Sequence, residues 1–219
     1  EVKNKNIRGW RSTRYHKEGR NDGLLKMAPL QKTKKEESMV FIILYLVGAI
    51  LFVNGLLLMG VVSSFPGVAA LNFLGGTLIT IMALYITMTD MYKGFGETVS
   101  NTVAATCLTF SVAYLLIALE VWTKGDFTVL GWYALPMSAC LFFLSLGYFQ
   151  VLGKKLPKVP QFGTLWFVWA VCFFLFWLRF GVQMAAIGPL TGWVIIIAGF
   201  ITCSYPALAY FQAGKVGQW

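Results

Sequence analysis

Charge is what this sequence has least of. Asp, Glu, Lys and Arg supply 12% of its 219 residues, about half the share of a soluble domain, near 25%. What charge there is crowds one end: 11 of the 18 Lys+Arg and 5 of the 9 Asp+Glu fall in residues 1–38. The formal net charge of +9 therefore belongs to a tail. A short basic arm on an apolar body is solvated or lies against anionic lipid, so no nucleic-acid partner is expected. Histidine is scarcer still. The single one, His16, sits in that arm, and the remaining chain has no Ser/His or Cys/His couple. Acid–base and nucleophilic catalysis thus lack their players, and no catalytic residue is assigned. The four cysteines, Cys107, Cys140, Cys172 and Cys203, each stand alone inside an apolar run. Without C-x-x-C spacing or a histidine partner they read as small buried apolar residues, so no metal site or other cofactor is expected. Acidic residues in the middle of the apolar runs are absent too, which argues against ion-coupled transport. Strict apolar–polar alternation is missing, which argues against a β-barrel.

What the sequence does have is hydrophobic length. Apolar residues make up 58%, gathered into six runs at about 39–61, 67–89, 100–122, 128–150, 162–186 and 191–212. Each is close to the ~20 residues a helix needs to cross a bilayer. The breaks carry turn chemistry: Ser63 to Gly67, Asp90 to Glu97, Lys124-Gly125-Asp126, Gly153 to Pro160 and Gly188-Pro189. Backbone groups in hydrocarbon must be satisfied within the segment, so the reading is an all-α integral membrane protein, a six-helix transmembrane bundle with antiparallel neighbours. Residues 39–212 form the channel-sized body and 213–219 a short tail. Residues 1–38 hold no apolar run, so they are neither a signal-peptide core nor a span. They are expected to be a disordered basic arm, or to lie upstream of a natural start at Met39. The codons of Lys34-Lys35-Glu36-Glu37 would suit a ribosome-binding site. Trp122, Trp132, Tyr133, Trp166, Trp193 and Tyr210 fall near run ends and suit interfacial belts. Gly75-Gly76, Ala104-Ala105, Ala185-Ala186 and Gly199 suit close helix approach.

The order and spacing of several short blocks resemble the AmiS/UreI family of urea and amide channels. One block runs from Leu44-Tyr45 to Gly48, then Asn54-Gly55, Asn72-Phe73 and Gly75-Gly76. A second runs from Phe110 to Tyr114, then Asp126 and Trp132-Tyr133. A weaker third is Trp166-Phe167-Val168-Trp169, with Trp193 and Pro206 in the last run. The resemblance covers residues 39–212. It implies one pore per protomer, a hexameric homo-oligomer in the lipid of a prokaryotic plasma membrane, and passive conduction of urea or a short amide to a cytoplasmic urease or amidase. A non-conducting structural subunit and an ion-coupled transporter are the rival readings.

Urea and short amides are small, flat and neutral. A pore for them needs a few donors and acceptors between flat walls and no charge. Trp166, Trp169 and Phe173, spaced three and four apart, share one helical face, as do Phe110 and Tyr114. Aromatic packing between helices would give the same spacing. By the resemblance these residues match the family's aromatic pore lining, with Leu44 and Leu51 opposite. Phe173 departs from it, standing where the urea channel has a tryptophan and removing an N–H donor. Asn54 and Asn72 are either pore-facing amides or an interhelical pair. Glu120 and Arg179 lie on the same side of the bundle and can form an ion pair; otherwise Arg179 snorkels to headgroups. Ala198 replaces a carboxylate of the acid-gated channel, and the body lacks histidine, so no switching between pH 7 and 5 is expected. Orientation is contested. Lys93, Lys154, Lys155, Lys158 and Lys215 face Lys124 and Arg179, which puts both termini in the cytoplasm by the positive-inside rule, whereas the resemblance puts them outside and is preferred.

Overall fold

A computed structural model of the protein describes residues 22–63, 65–89, 92, 97–153 and 156–213. Contacts divide the chain into two units, Glu1–Lys35 and Glu36–Trp219. In the first, the described residues are helical; the expectations for residues 1–21 and 214–219 lie outside the described residues. So do those for Lys93, Lys154, Lys155 and Lys215.

The helices are α1 (Asp22–Leu58), α2 (Phe65–Thr89), α3 (Glu97–Thr123), α4 (Thr128–Tyr148), α5 (Pro160–Phe176), α6 (Gly188–Gly199) and α7 (Tyr205–Ala213), with no strand among the described residues. A π-helical stretch, Trp177–Gly181, prolongs α5, and a second, Phe200–Ser204, joins α6 to α7. Six segments are long and apolar enough to cross a membrane: Ser38–Leu58, Pro66–Thr89, Thr98–Thr123, Thr128–Tyr148, Pro160–Gly181 and Ala185–Gln212. The all-α, six-span architecture is the one expected from the sequence.

One boundary moves. The sequence reading carries the fifth run to 186 and breaks the chain at Gly188-Pro189. Here the fifth span stops at Gly181 and the sixth begins at Ala185. Pro189 sits in the first turn of α6, where its missing N–H would be unpaired anyway and its fixed φ suits a helix. The reversal is made earlier, by Gln183 with φ 60°, after the Val182 N–H bonds back to the Trp177 carbonyl at 2.9 Å. Spans one, three and four end alike, on a left-handed residue at Gly60, Lys124 and Gln150. The next N–H then reaches back five residues, from Val61 to Leu56, Gly125 to Glu120 and Val151 to Leu146, at 2.8–2.9 Å. These are Schellman closures, which satisfy carbonyls that a helix end leaves open.

Polar contacts and close backbone approach link consecutive spans. Asn54 and Asn72 join α1 to α2. Thr80 meets Ser111 at 2.6 Å between α2 and α3, and the Ser111 hydroxyl donates to the Gly76 carbonyl at 2.9 Å. The Tyr133 hydroxyl donates to the Thr109 carbonyl at 2.9 Å, joining α4 to α3. Ser138 and Ser145 of α4 donate to Ala170 and Gly163 of α5 at 2.8 and 2.7 Å. α5 packs on α6, and the ring closes where α6 returns to α1. A side chain on Gly55 would lie 2.7 Å from the Gly192 carbonyl oxygen, and one on Gly192 would lie 2.6 Å from that of Gly55. Lipid offers no hydrophobic force between helices, so such close approach and hydroxyl-to-carbonyl bonds hold the spans together.

The six spans therefore surround a common axis. Their outer faces present apolar side chains such as Phe73, Leu84, Phe143 and Ile197. Of the belt candidates, Trp122, Trp132 and Trp193 are exposed, as a belt requires, and Tyr133 is half-buried. Trp166 and Tyr210 are buried instead. Tyr210 stacks on Phe41 at 4.1 Å, and Trp166 faces inward.

Candidate functional site

Two cavities lie inside the ring. The first, of about 360 Å³, lies toward the Ser38 end of the first span. Its wall includes Leu44 and Val47 from α1, Met82 from α2, and Cys107, Phe110 and Tyr114 from α3; Trp166 and Trp169 of α5 and Thr202, Cys203 and Pro206 of the last span complete it. The second, of about 370 Å³, is at the opposite end, lined by Asn54, Leu58, Ser63, Ile117, Asp126, Phe127, Phe176, Arg179 and Phe180 among others. Both volumes fall at the small end of the range for binding pockets, about 300–1,000 Å³. A third hollow of about 660 Å³, between α3 and α4, contains none of the pore candidates named from the sequence.

Helical register shows what separates the first two. On α1, Val47 lines the first cavity and Asn54 the second; Leu51 is one turn from each and lines neither. On α5, Trp169 lines the first and Phe176 the second, and Phe173 stands between in the same way. Leu51 and Phe173 are buried, at 4% and 2% exposure. Phe110 touches both rings of the α5 face: it meets Trp169 edge-on at 4.5 Å and Phe173 at 5.4 Å. The aromatic residues of the third and fifth spans thus form one cluster, as their spacing requires.

The polar groups of the first cavity are unusual for a buried wall. The Tyr114 hydroxyl and the Trp166 indole nitrogen are buried and make no hydrogen bond to the described residues. A buried donor without a partner costs about 1–3 kcal/mol. The Thr202 hydroxyl donates to the Ala198 carbonyl at 2.7 Å, which leaves its oxygen lone pairs as acceptors. Two donors and an acceptor therefore belong to residues of one wall, which also includes Tyr92, Gln161 and Thr164.

The two asparagines part company. Their side chains donate to each other in both directions at 2.8 Å, and the Asn72 amide also reaches the Val68 carbonyl at 2.9 Å. Asn72 is fully buried and borders no cavity, so the pore-facing reading gives way to an interhelical clasp. In hydrocarbon, paired amides satisfy each other. Asn54 shares that clasp while lining the second cavity.

Glu120 and Arg179 make no ion pair among the described residues. The Glu120 carboxylate turns toward Gly125, where its oxygen occupies the space a side chain would fill. The Arg179 guanidinium lies 5.2 Å from the centre of the Phe180 ring, its buried Nε unpartnered. The acid that shares the second cavity with it is Asp126. Asp126 lies in the loop between spans three and four, and accepts the Thr128 N–H at 2.9 Å. That bond lowers its carboxyl pKa below the ordinary value of 3.8.

Sequence reasoning missed several wall residues. Val47 was within reach, since Leu44, Val47, Leu51 and Asn54 follow one helical face. Thr202 and Cys203 were not. Ile201, Thr202 and Cys203 all border the first cavity, within the π-helical stretch Phe200–Ser204, a distortion often found at functional sites.

Residues 39–214 match the model of the AmiS/UreI family of transporters. The chain belongs to the AmiS/UreI family. Among AmiS/UreI relatives, it is 31% identical over 164 residues to a protein of Mycolicibacterium smegmatis named for transport of amidate substrates, covering 75% of this chain and 72% of the relative. It is 28% identical over 161 residues to a Rhodococcus erythropolis protein named as transporter AmiS2, covering 74% and 73%. In fold it is similar to the Helicobacter pylori urea channel. The closed state solved by electron cryomicroscopy matches with a TM-score of 0.65 at 21% identity, over 80% of this chain and 99% of that one. The crystal structure matches at 0.61 and 23%, over 81% and 99%. This AmiS/UreI protein is thus a multi-pass membrane transport protein and not an enzyme.

Proposed function

We propose that the protein is a passive facilitator for urea or a short aliphatic amide, and that its two cavities are halves of one path closed by the Leu51–Phe173 layer. The observation that carries this reading is the pair of unpartnered donors, Tyr114 hydroxyl and Trp166 N–H, in the wall of the first cavity. An amide carbonyl accepts from such donors, and its N–H groups suit the hydroxyl oxygen of Thr202, which also meets the Cys203 sulfur at 3.5 Å. The flat rings of Trp169 and Phe110 admit a planar solute and offer nothing to a hydrated ion. The names of the relatives and of the solved channel point to the same solutes. Ion coupling is disfavoured because Glu120, near the exit of its span, is the one carboxylate within the six spans. The cavities are enclosed by a single chain, which fits one pore per protomer in the hexamer that the resemblance implies. The setting proposed is a prokaryotic plasma membrane, with a cytoplasmic urease or amidase consuming the solute.

The test is stopped-flow light scattering on proteoliposomes of the full chain, challenged with urea, acetamide and glycerol at pH 7 and pH 5. Urea or acetamide should enter faster than glycerol, at equal rates at the two pH values, because no histidine follows residue 38. Tyr114→Phe and Trp166→Phe should each slow entry about threefold to tenfold, within what losing one neutral hydrogen bond of about 0.5–1.5 kcal/mol allows. Tyr114→Phe should not lower the melting temperature, since it removes a buried donor that has no protein partner; Trp166→Phe also takes ring volume from a buried site and should lower it. Entry no faster than in protein-free liposomes would overturn the reading, and a strong rise at pH 5 would overturn its ungated form.

A further inference from the structure

Sulfur is concentrated in the wall of the first cavity. Cys107 of α3, Cys203 of the last span and Met82 of α2 all border it. Cys107 and Cys203 keep some accessible surface as residues, 8% and 5%, whereas Cys172 has 0%. Cys203 lies in the π-helical stretch Phe200–Ser204 of the last span. No carboxylate or imidazole borders this cavity. Among the described residues, no three His, Cys, Asp or Glu side chains converge as a metal cage. Two thiols and a thioether, with no carboxylate or imidazole in the same lining, disfavour zinc, calcium and magnesium and suit soft ions of low coordination number.

We propose that Cys107 and Cys203, in the wall that also holds Met82, form a capture site for a soft, thiophilic metal ion such as mercury(II), silver(I) or copper(I), and that occupancy closes the path. The site rests on the proposed route only for its effect on flux; the binding itself does not. With mercury(II) chloride, each thiol that reacts forms a sulfur–mercury bond, a mercury–chlorine bond breaks, and the thiol proton and the chloride leave. No oxidant or reductant is consumed. The bound ion lies in the same wall as Tyr114 and Trp169, one turn from the Leu51–Phe173 layer, where it narrows the space open to solute.

Two arms test this on the full chain. In proteoliposomes, mercury(II) chloride should reduce urea entry to the protein-free rate, and excess 2-mercaptoethanol should restore it. Cys107→Ser combined with Cys203→Ser should abolish the block, read as the ratio of urea entry with and without mercury(II) chloride in the same variant, and Cys140→Ser and Cys172→Ser should remain as sensitive as wild type. In detergent, intact mass after stoichiometric mercury(II) chloride should show one mercury per chain in the Cys140→Ser background and none once Cys107 and Cys203 are also replaced. The mass arm reads the site even if the chain conducts no urea, so failure of the site and failure of the proposed function are distinguishable. Block or metal uptake that persists without Cys107 and Cys203, or a wild-type chain that takes up no mercury, would overturn the proposal.

Discussion

The cavity toward the Ser38 end of the first span is walled largely by rings and sulfur, and the Tyr114 hydroxyl and Trp166 N–H of its lining residues are without partners. The mouth at the far end is nearly the same size but carries Asp126, Arg179 and Asn54 in its lining. The difference follows from depth. Charged side chains are tolerated where they reach the interface and are expensive in hydrocarbon, so both charges stand where a span ends. On the proposed path, the first cavity would select by neutral donors and flat faces. Between them, Leu51 and Phe173 offer no polar atom at all. One end of the molecule can thus collect polar solutes while the other sorts them.

Joining the two cavities in one path makes the strongest prediction. Leu51→Trp adds bulk to the layer between them, and urea entry should fall to the rate of protein-free liposomes. Unchanged entry would mean that the two cavities serve different purposes. A smaller effect is expected at the clasp that ties the far mouth to α2. Asn72→Leu leaves Asn54 buried without its partner, and should lower stability by about 1–3 kcal/mol, read as a drop in melting temperature in detergent. The double change Asn54→Leu with Asn72→Leu should recover most of that loss, because interhelical bonds of this kind average only about 0.6 kcal/mol net. A double variant as unstable as the sum of the two single ones would show that Asn54 is needed by the mouth itself.

The smallest effect is at the rim. Asp126 is exposed and its carboxyl is held below the ordinary 3.8 by the Thr128 N–H. A lowered value means that the charged form is favoured in the folded chain, so the contribution is present at neutral pH and fades as pH falls below the carboxylate range. Asp126→Ala should lower the melting temperature slightly at pH 7, and the difference should vanish in strong acid. A difference that grows with acidity would reverse the assignment.

Much of this was legible in the sequence. Six apolar runs of bilayer length, bounded by Gly, Pro and charge, leave few solutions in a solvent that cannot hydrogen-bond a backbone. The facing of Trp166, Trp169 and Phe173 followed from a spacing of three and four. The reading failed where local signals were overruled. Gly188-Pro189 looked like a break and became the start of a helix, because proline is harmless in a first turn. Glu120 and Arg179 looked like a pair by side and distance along their spans, yet the carboxylate turned to Gly125 and the guanidinium to Phe180.

What the sequence determined by itself is therefore the class, the six spans, the ring's apolar exterior and the absence of charge at its centre. These depend on composition and period, which no neighbour can alter. Only the tertiary structure decided which asparagine faces the mouth, which donors are left without partners, and that Thr202 and Cys203 border the same cavity. The clasp and the orphaned donors depend on where another span's atoms fall within an ångström. The π-helical turn slips the register by one residue, and neither kind of displacement leaves a trace in the spacing of residues along the chain.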